Sequence, residues 1–486
     1  MLVLVSDKMY ISDLGTQERL IIEKDLTQDN PEYVSRVKRG LSLWGIPKKE
    51  CYYTRTFDGL SVPRGYLGQF LNRFPSTEVV FKTVEGAPAH FGSWEPNIVL
   101  RSYQNDAVDN ALSRNGVIVC AAGGGKTLIG LNYIHKRSKK ALWIAHTREL
   151  MNQVKDRVNN YFSCSVGIVQ GSNVDLSKDI TIASVKTLAL HPEIIEDLNK
   201  TVGTVVVDEM HRYAAPMFNS VVAKLKASNI IGLTATPERK DNRDMLMFYS
   251  VGEQLCNIDR FMLYDLGFLI KPKIKFVYTS YDFNQSSKKS KNGAVDAGGG
   301  DYDFHELIAD LIENEERFQL IVDNIVANHK ENNYQIVLSE SVEYGQKFFD
   351  ELTALGFCCE FMHGKVPKKK RLDIMNRCYN KEVPVLIATK LANEGLDMPH
   401  LNIGHLTTPK RGDEYKRADG AALEQQIGRI MRPSGSGKTW YDYVDDRNGI
   451  LKAQYYTRRR TYKRLGLEIP KKPKDININN WLHNFR

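Results

Sequence analysis

The chain has 486 residues, 42% of them hydrophobic, 26% charged and 10% aromatic. That balance fits an ordinary folded protein of two or three domains and excludes collagenous, coiled-coil and disordered classes. Lys and Arg exceed Asp and Glu by 67 − 58 = 9, an excess that suits a polyanionic partner and plain solubility equally well.

The opening MLVLVSDK has too short an apolar run for a signal peptide, and no stretch reaches the ~18 apolar residues of a membrane span. The expectation is a cytoplasmic protein with no membrane partner, in the host cytoplasm if the source is viral. Seven cysteines, scattered and nowhere spaced CxxC, argue against a disulfide framework and against a zinc or iron–sulfur site.

Residues 1–92 mix short alternating runs, at 51–56 and 77–83, with the turn Val62-Pro63-Arg64-Gly65. They predict a small α+β accessory module without a catalytic motif. Over 93–268, apolar β-branched runs alternate with helical patterns, at 116–120, 141–146, 180–183, 202–207 and 230–233. Runs of this kind mark strands buried on both faces, hence a parallel sheet covered by helices. Residues 269–303 read as a connecting segment, because 283–303 is rich in Ser, Lys, Asn and Gly and lacks an apolar period. A second alternation fills 304–450, with strands predicted at 335–338, 358–362, 383–388, 403–406 and 439–444. A basic tail, 451–486, closes the chain.

Three strings carry chemistry. CAAGGGKT, 120–127, lies between a predicted strand and a predicted helix. Glycines there let backbone amides wrap a phosphate, Lys126 reaches β and γ phosphates, and Thr127 ligates magnesium. Cys120 stands where glycine is usual. The strand ending at Val207 delivers Asp208 to hold the metal, directly or through water, and Glu209 to orient and deprotonate a water. In QQIGRIMR, 425–432, Arg429 and Arg432 are three residues apart on one predicted helix face, a spacing that aims two guanidinium groups at a γ phosphate. Taken alone, each string also fits a bland reading: a glycine turn, a solvated acidic pair, an exposed basic helix.

Together the strings resemble superfamily 2 helicases. LRSYQ (100–104), GGGKT, AHTRELMNQ (145–153), ASVKTL (183–188), DEMH (208–211), LTATP (233–237), MHGK (362–365), ATKLANEGLDMP (388–399) and QQIGRIMR follow that family's motif order. LRSYQ, GLTATPER (232–239) and YDYVDD (441–446) look most similar to the XPB and phage UvsW-type branch, with Met210 where alanine is commonest. The segments 30–45 and 57–67 resemble the small DNA-binding module of UvsW-like proteins.

The resemblance implies an α/β fold with two tandem RecA-like parallel-sheet domains plus the accessory module, and ATP with Mg2+ as cofactors. It assigns Arg101 and Gln104 to adenine and Ala122, Gly123, Gly124, Gly125, Lys126 and Thr127 to the phosphates. His211, Gly395, Asp397 and Gln425 are implied as further nucleotide contacts. Thr147, Arg148, Ser184, Lys186, His363, Gly364, Lys365 and Thr389 are implied as contacts to a nucleic-acid backbone, and their hydroxyls, cations and strand-end amides suit phosphate oxygens. The basic runs 288–291, 368–371 and 458–464 add attraction to DNA or are solvated faces. In the last, Tyr455, Tyr456 and Tyr462 either stack on nucleic acid or pack on the domain.

The implied function is an ATP-dependent DNA helicase or translocase that unwinds or remodels single-stranded, forked or branched DNA, branch migration included, with replication or recombination proteins as partners. An RNA helicase and the motor subunit of a restriction or nuclease complex are the alternatives.

Overall fold

Continuous β-branched runs become the middle strands of two parallel sheets. The computed structural model describes residues 1–162, 164–211, 220–235, 244–283, 304–389, 398–414, 420–434 and 437–471, in two units, Met1–Leu263 and Tyr264–Arg486.

The large sheet of the first unit has eight strands. Their order is Asn173–Val174, Val166–Gln170, Ile180–Ser184, Ala141–Ala145, Thr204–Val207, Asn229–Thr234, Gly116–Cys120 and Gln254–Ile258. Only Asn173–Val174 runs antiparallel. Every residue of Gly116–Cys120, Ala141–Ala145 and Thr204–Val207 is buried, which is why these strands show no polar alternation. Gly130 lets the helix Lys126–Arg137 settle onto the sheet, since a Cβ there would lie 2.8 Å from the Trp143 ring.

A five-stranded sheet built from the first 81 residues has the order Thr54–Arg55, Gly59–Pro63, Lys8–Ser12, Leu2–Val5 and Glu78–Phe81. It does not stand apart from the larger sheet. Its core, with Val3, Met9, Ile11, Leu60 and Phe70, includes Tyr249 of the helix Asp244–Val251. Buried Arg64 donates to the carbonyls of Leu225 and Ala227 at 3.2 and 3.0 Å. The Thr83 and Ser228 hydroxyls lie 2.8 Å apart. The two parts share apolar core and buried hydrogen bonds.

In the second unit, six parallel strands run in the order Lys273–Tyr278, Thr439–Val444, Ile403–Leu406, Gln335–Leu338, Val385–Ala388 and Cys359–Met362. Two expectations change here. Lys273–Tyr278 lies in the stretch read as a connector, and its half-exposed edge position explains why its apolar pattern is weak. The first part of the expected basic tail is the helix Gly449–Arg464, packed on the sheet through buried Tyr455 and Tyr462 and on Leu307 and Leu311 through buried Leu451. Arg458 is 1% exposed and clasps Asp442, donating from Nε to Oδ2 at 2.9 Å and from Nη2 to Oδ1 at 2.8 Å. The Tyr462 hydroxyl donates to the same carboxylate at 2.7 Å. Deeper in the unit, Arg317 is bidentate on Asp445 at 2.8 and 3.1 Å.

His405 is fully buried on the strand Ile403–Leu406. Gln335 Nε2 donates to the Ile325 carbonyl, so Gln335 Oε1 faces His405 Nε2, which donates to it at 2.9 Å. His405 Nδ1 then accepts from the Tyr443 hydroxyl at 3.0 Å. Burial pushes the imidazole pKa down to about 3.

Removal of residues 1–92 uncovers Tyr249 and strips partners from 225–228, so the remainder should bind a hydrophobic dye and melt at a lower temperature than the full chain. Arg458→Met strands a buried carboxylate and should cost roughly 3–5 kcal/mol in urea unfolding, against about 0.5 kcal/mol or less for exposed Arg460→Ala. On acidification the unfolded chain protonates His405 near pH 6.5 while the folded chain refuses the proton until about pH 3. Stability is thus full above pH 6.5 and falls below it by up to ~1.4 kcal/mol per pH unit, a dependence that His405→Gln should flatten.

Candidate functional site

The carboxyl edge of the large first sheet gathers the chemistry. Strand Gly116–Cys120 ends in the glycine loop, and the helix Lys126–Arg137 starts directly after it. Gly123 and Gly125 hold φ of +91° and +93°, a left-handed backbone that glycine adopts without steric cost. Gln104, 3% exposed, braces the loop from behind: Nε2 donates to the Gly124 carbonyl at 3.0 Å and Oε1 accepts from the Arg101 amide at 2.9 Å. The Tyr103 hydroxyl donates to the same Gly124 carbonyl at 3.2 Å, and Arg101 Nη1 donates to that hydroxyl at 3.0 Å. Both ends of the Gln104 amide are thus engaged with backbone. Cys120 is buried as a neutral thiol, its pKa pushed up to about 12 by burial. Its Sγ would lie 2.5 Å from a Cβ at position 124, so Gly124 has no room for a side chain.

Asp208 and Glu209 come directly after Thr204–Val207, with Asn229–Thr234 between that strand and Gly116–Cys120. The sequence places the acidic pair beside the phosphate loop; the structure inserts one strand, and the side chains close the gap. Lys126 Nζ lies 3.5 Å from Glu209 Oε1. Glu209 sits at φ +50°, a conformation that costs a non-glycine residue about 1–3 kcal/mol and is typical of functional positions. Its amide donates to Asp208 Oδ1 at 2.9 Å. Burial first, then the Glu209 carboxylate, pushes the pKa of Asp208 up, with Lys126 opposing.

His211 Nδ1 lies 3.4 Å from Glu209 Oε2 and 3.1 Å from the Thr234 hydroxyl. A polar chain therefore runs Lys126, Glu209, His211, Thr234, ending on the intervening strand. Sequence reasoning gave no role to Thr234 or Tyr103, although both stand in quoted strings, LTATP and LRSYQ. A glycine cradle, one partly buried lysine and a desolvated hard-oxygen carboxylate are a donor set that fits a nucleoside triphosphate with magnesium. Thr127, partly buried, is the second residue of the helix that opens at Lys126.

The nucleic-acid candidates of the first unit share this edge. Ser184 ends Ile180–Ser184 opposite Ala145 of the neighbouring strand, with exposed Lys186 two residues on. Thr147 caps the helix Arg148–Tyr161, accepting from the Leu150 amide at 3.3 Å, and Arg148 is exposed. In the second unit the paired ends Met362 and Ala388 lead to His363, Gly364 and Lys365 on one strand and buried Thr389 on the other. The Thr389 amide donates to the Met362 carbonyl at 3.1 Å. Burial, then the positive charges of Lys365 and Lys370, pushes the His363 pKa down.

Gly395 and Asp397 lie outside the described residues. Gln425 is on the helix Ala421–Gly428, but that helix ends before both arginines, correcting the single-helix expectation. Arg429 is its C-cap and Arg432 lies in the loop beyond. The chain turns there to bury Ile430 and Met431.

Residues 97–239 match the family described as "Type III restriction enzyme, res subunit", and residues 316–434 match "Helicase conserved C-terminal domain". The chain belongs to the superfamily 2 helicases. This helicase chain is 27% identical over 381 residues to the DNA 3′-5′ translocase XPB2 of Sulfurisphaera tokodaii, covering 73% of this chain and 83% of that one. It is 24% identical over 359 residues to the DNA 3′-5′ helicase XPB of Kineococcus radiotolerans, covering 70% and 58%. It spans about half the length, 51% and 52%, of the Rad25 relatives from Haloarcula marismortui and Halobacterium salinarum. Among solved structures, S. cerevisiae Dbp5 bound to RNA and ADP BeF3 aligns over 79% of this chain and 91% of that one, at 15% identity and a TM-score of 0.54, a likeness of fold. The two large parallel sheets are accordingly tandem RecA-like domains.

Proposed function

We propose that this helicase is an ATP-dependent DNA translocase that remodels forked or branched DNA. The observation that carries the reading is the contact of Lys126 with Glu209 beside buried Asp208. Lys126 and the amides of 122–125 hold the β and γ phosphates, and Thr127 and Asp208 hold magnesium, which when bound neutralises phosphate charge. Arrival of phosphate gives Lys126 a second anion and loosens its hold on Glu209. The base is thus withheld until nucleotide is present. Glu209, fixed by its strained backbone and by His211, orients the attacking water and takes its proton. Arg429 and Arg432 stabilise charge developing on the transferred phosphoryl group.

The strand-end hydroxyls, cations and amides of both units grip the sugar-phosphate backbone without reading bases. DNA as the substrate is supported by the names of the XPB relatives.

Lys126→Ala should abolish hydrolysis while leaving the melting temperature close to that of the unmodified chain. Glu209→Gln should retain nucleotide binding and lower turnover by ~10²–10⁴-fold; loss of binding instead would make Glu209 a metal or structural residue. ATPase assays with single-stranded DNA, duplex, forks, four-way junctions and RNA decide the substrate. Forked or branched DNA should stimulate most, with affinity falling steeply with salt and hardly varying with base sequence. Equal or greater stimulation by RNA would overturn the DNA assignment.

A further inference from the structure

Two cations that belong to none of the helicase strings lie at the two ends of the segment carrying Arg429 and Arg432. At its entry, Arg464 Nη1 donates to Glu424 Oε2 at 2.8 Å, in the first turn of the helix Ala421–Gly428. Arg464 Nε donates to Asp413 Oδ2 at 2.7 Å. Asp413 Oδ1 in turn accepts from the amide of Gly420, the residue just before that helix, at 2.6 Å. Both carboxylates are buried. One guanidinium therefore grips the helix and, through Asp413, the backbone that leads into it.

At the exit stands Lys438, 4% exposed. Its Nζ donates to the Ser434 hydroxyl at 2.6 Å, the Leu401 carbonyl at 2.7 Å and the Pro399 carbonyl at 3.2 Å. Three donors meet three acceptors, so the ammonium is saturated. Those acceptors are all neutral, and burial against them pushes the amine pKa down to about 8. A cation held this way is a costly means of filling space, and what it supplies in return is three directional bonds. They tie Ser434, two residues beyond Arg432, to Pro399, the last residue of ATKLANEGLDMP, and to Leu401 just after it. Between the two pins, the Met431 carbonyl accepts from the Ile270 amide at 2.6 Å.

We propose that Arg464 and Lys438 are positioning residues that fix the two ends of the segment 424–434 and so set Arg429 and Arg432 for phosphoryl transfer. The inference rests on the proposed role of those two arginines. Neither cation touches nucleotide. Each acts by removing freedom from a segment whose useful atoms must be placed to within a fraction of an ångström, and a 1 Å error in such placement costs about 10²-fold in rate.

The experiment is a double-mutant comparison of turnover, nucleotide binding and melting temperature in the full chain. Lys438→Met and Arg464→Met should each lower kcat by about 10²-fold with nucleotide affinity near that of the unmodified chain. Ser434→Ala and Glu424→Gln remove one partner of each pin more gently and should cost about tenfold; they decide the question if the larger changes prevent folding. The diagnostic is combination with Arg432→Ala. A pin that acts through the arginines adds little further loss once Arg432 is gone, whereas general loosening of the fold multiplies with it. Multiplying losses, or unmodified kcat in folded pin variants beside an inactive Arg432→Ala, would overturn the positioning role alone. Unmodified turnover in Arg432→Ala would overturn both this inference and the arginine reading beneath it.

Discussion

The contact between Lys126 and Glu209, 3.5 Å across an intervening strand, is the interaction around which the first unit is arranged. It requires the glycine loop to end where the helix Lys126–Arg137 can project its first side chain inward. It also requires Glu209 to accept a left-handed backbone in order to face that side chain. Both conditions are costly locally and are met because the strands beneath are buried from end to end. A loop that shifted would leave Lys126 without its anion and Asp208 without the opposing charge that limits the rise of its pKa. Tyr103 and Gln104, both on the Gly124 carbonyl, therefore serve electrostatics as much as shape.

The second unit applies the same principle to different groups. Asp442 and Asp445 stand in or directly after one buried strand, and each is neutralised by one arginine from a helix, Arg458 or Arg317. Buried pairs of this kind contribute little net stability but are expensive to break from one side. They fix where the helices Glu315–Ala327 and Gly449–Arg464 lie. The string YDYVDD thus does architectural work: its carboxylates hold helices, and its Tyr443 supplies the hydroxyl on His405.

The parallel strands were legible because burial on both faces leaves a continuous apolar signature, as in GVIVC and ALWIA. The phosphate loop and the acidic pair were legible because short spacings fix their geometry. What escaped depends on contacts distant in sequence. Lys273–Tyr278 is a strand because Thr439–Val444 lies beside it, more than 160 residues away by chain position. The helix carrying Gln425 ends at Gly428, a weak local breaker inside QQIGRIMR, and Ile430 and Met431 beyond it are buried in the core. The junction between the accessory sheet and its neighbour leaves no sequence signal because Tyr249 and Arg64, which form it, are ordinary residues in sequence.

Charge runs were the least reliable signal, and the reason bears on how nucleic acid is held. A string such as RRRTYKR looks like a basic surface, yet Arg458 and Arg464 face carboxylates inside the unit. Arg317 is consumed in the same way by Asp445. Each buried pair cancels in the field outside, so part of what the tail contributes to the cation count never reaches solvent. On the proposed reading, the grip on DNA then falls mainly to residues such as Arg148, Lys186 and Lys365, exposed at the carboxyl ends of strands. In the first unit that grip stands on the same edge of the same sheet as Lys126, Asp208 and Glu209, though on different strands, which is the mechanical condition for hydrolysis to move the chain along its substrate.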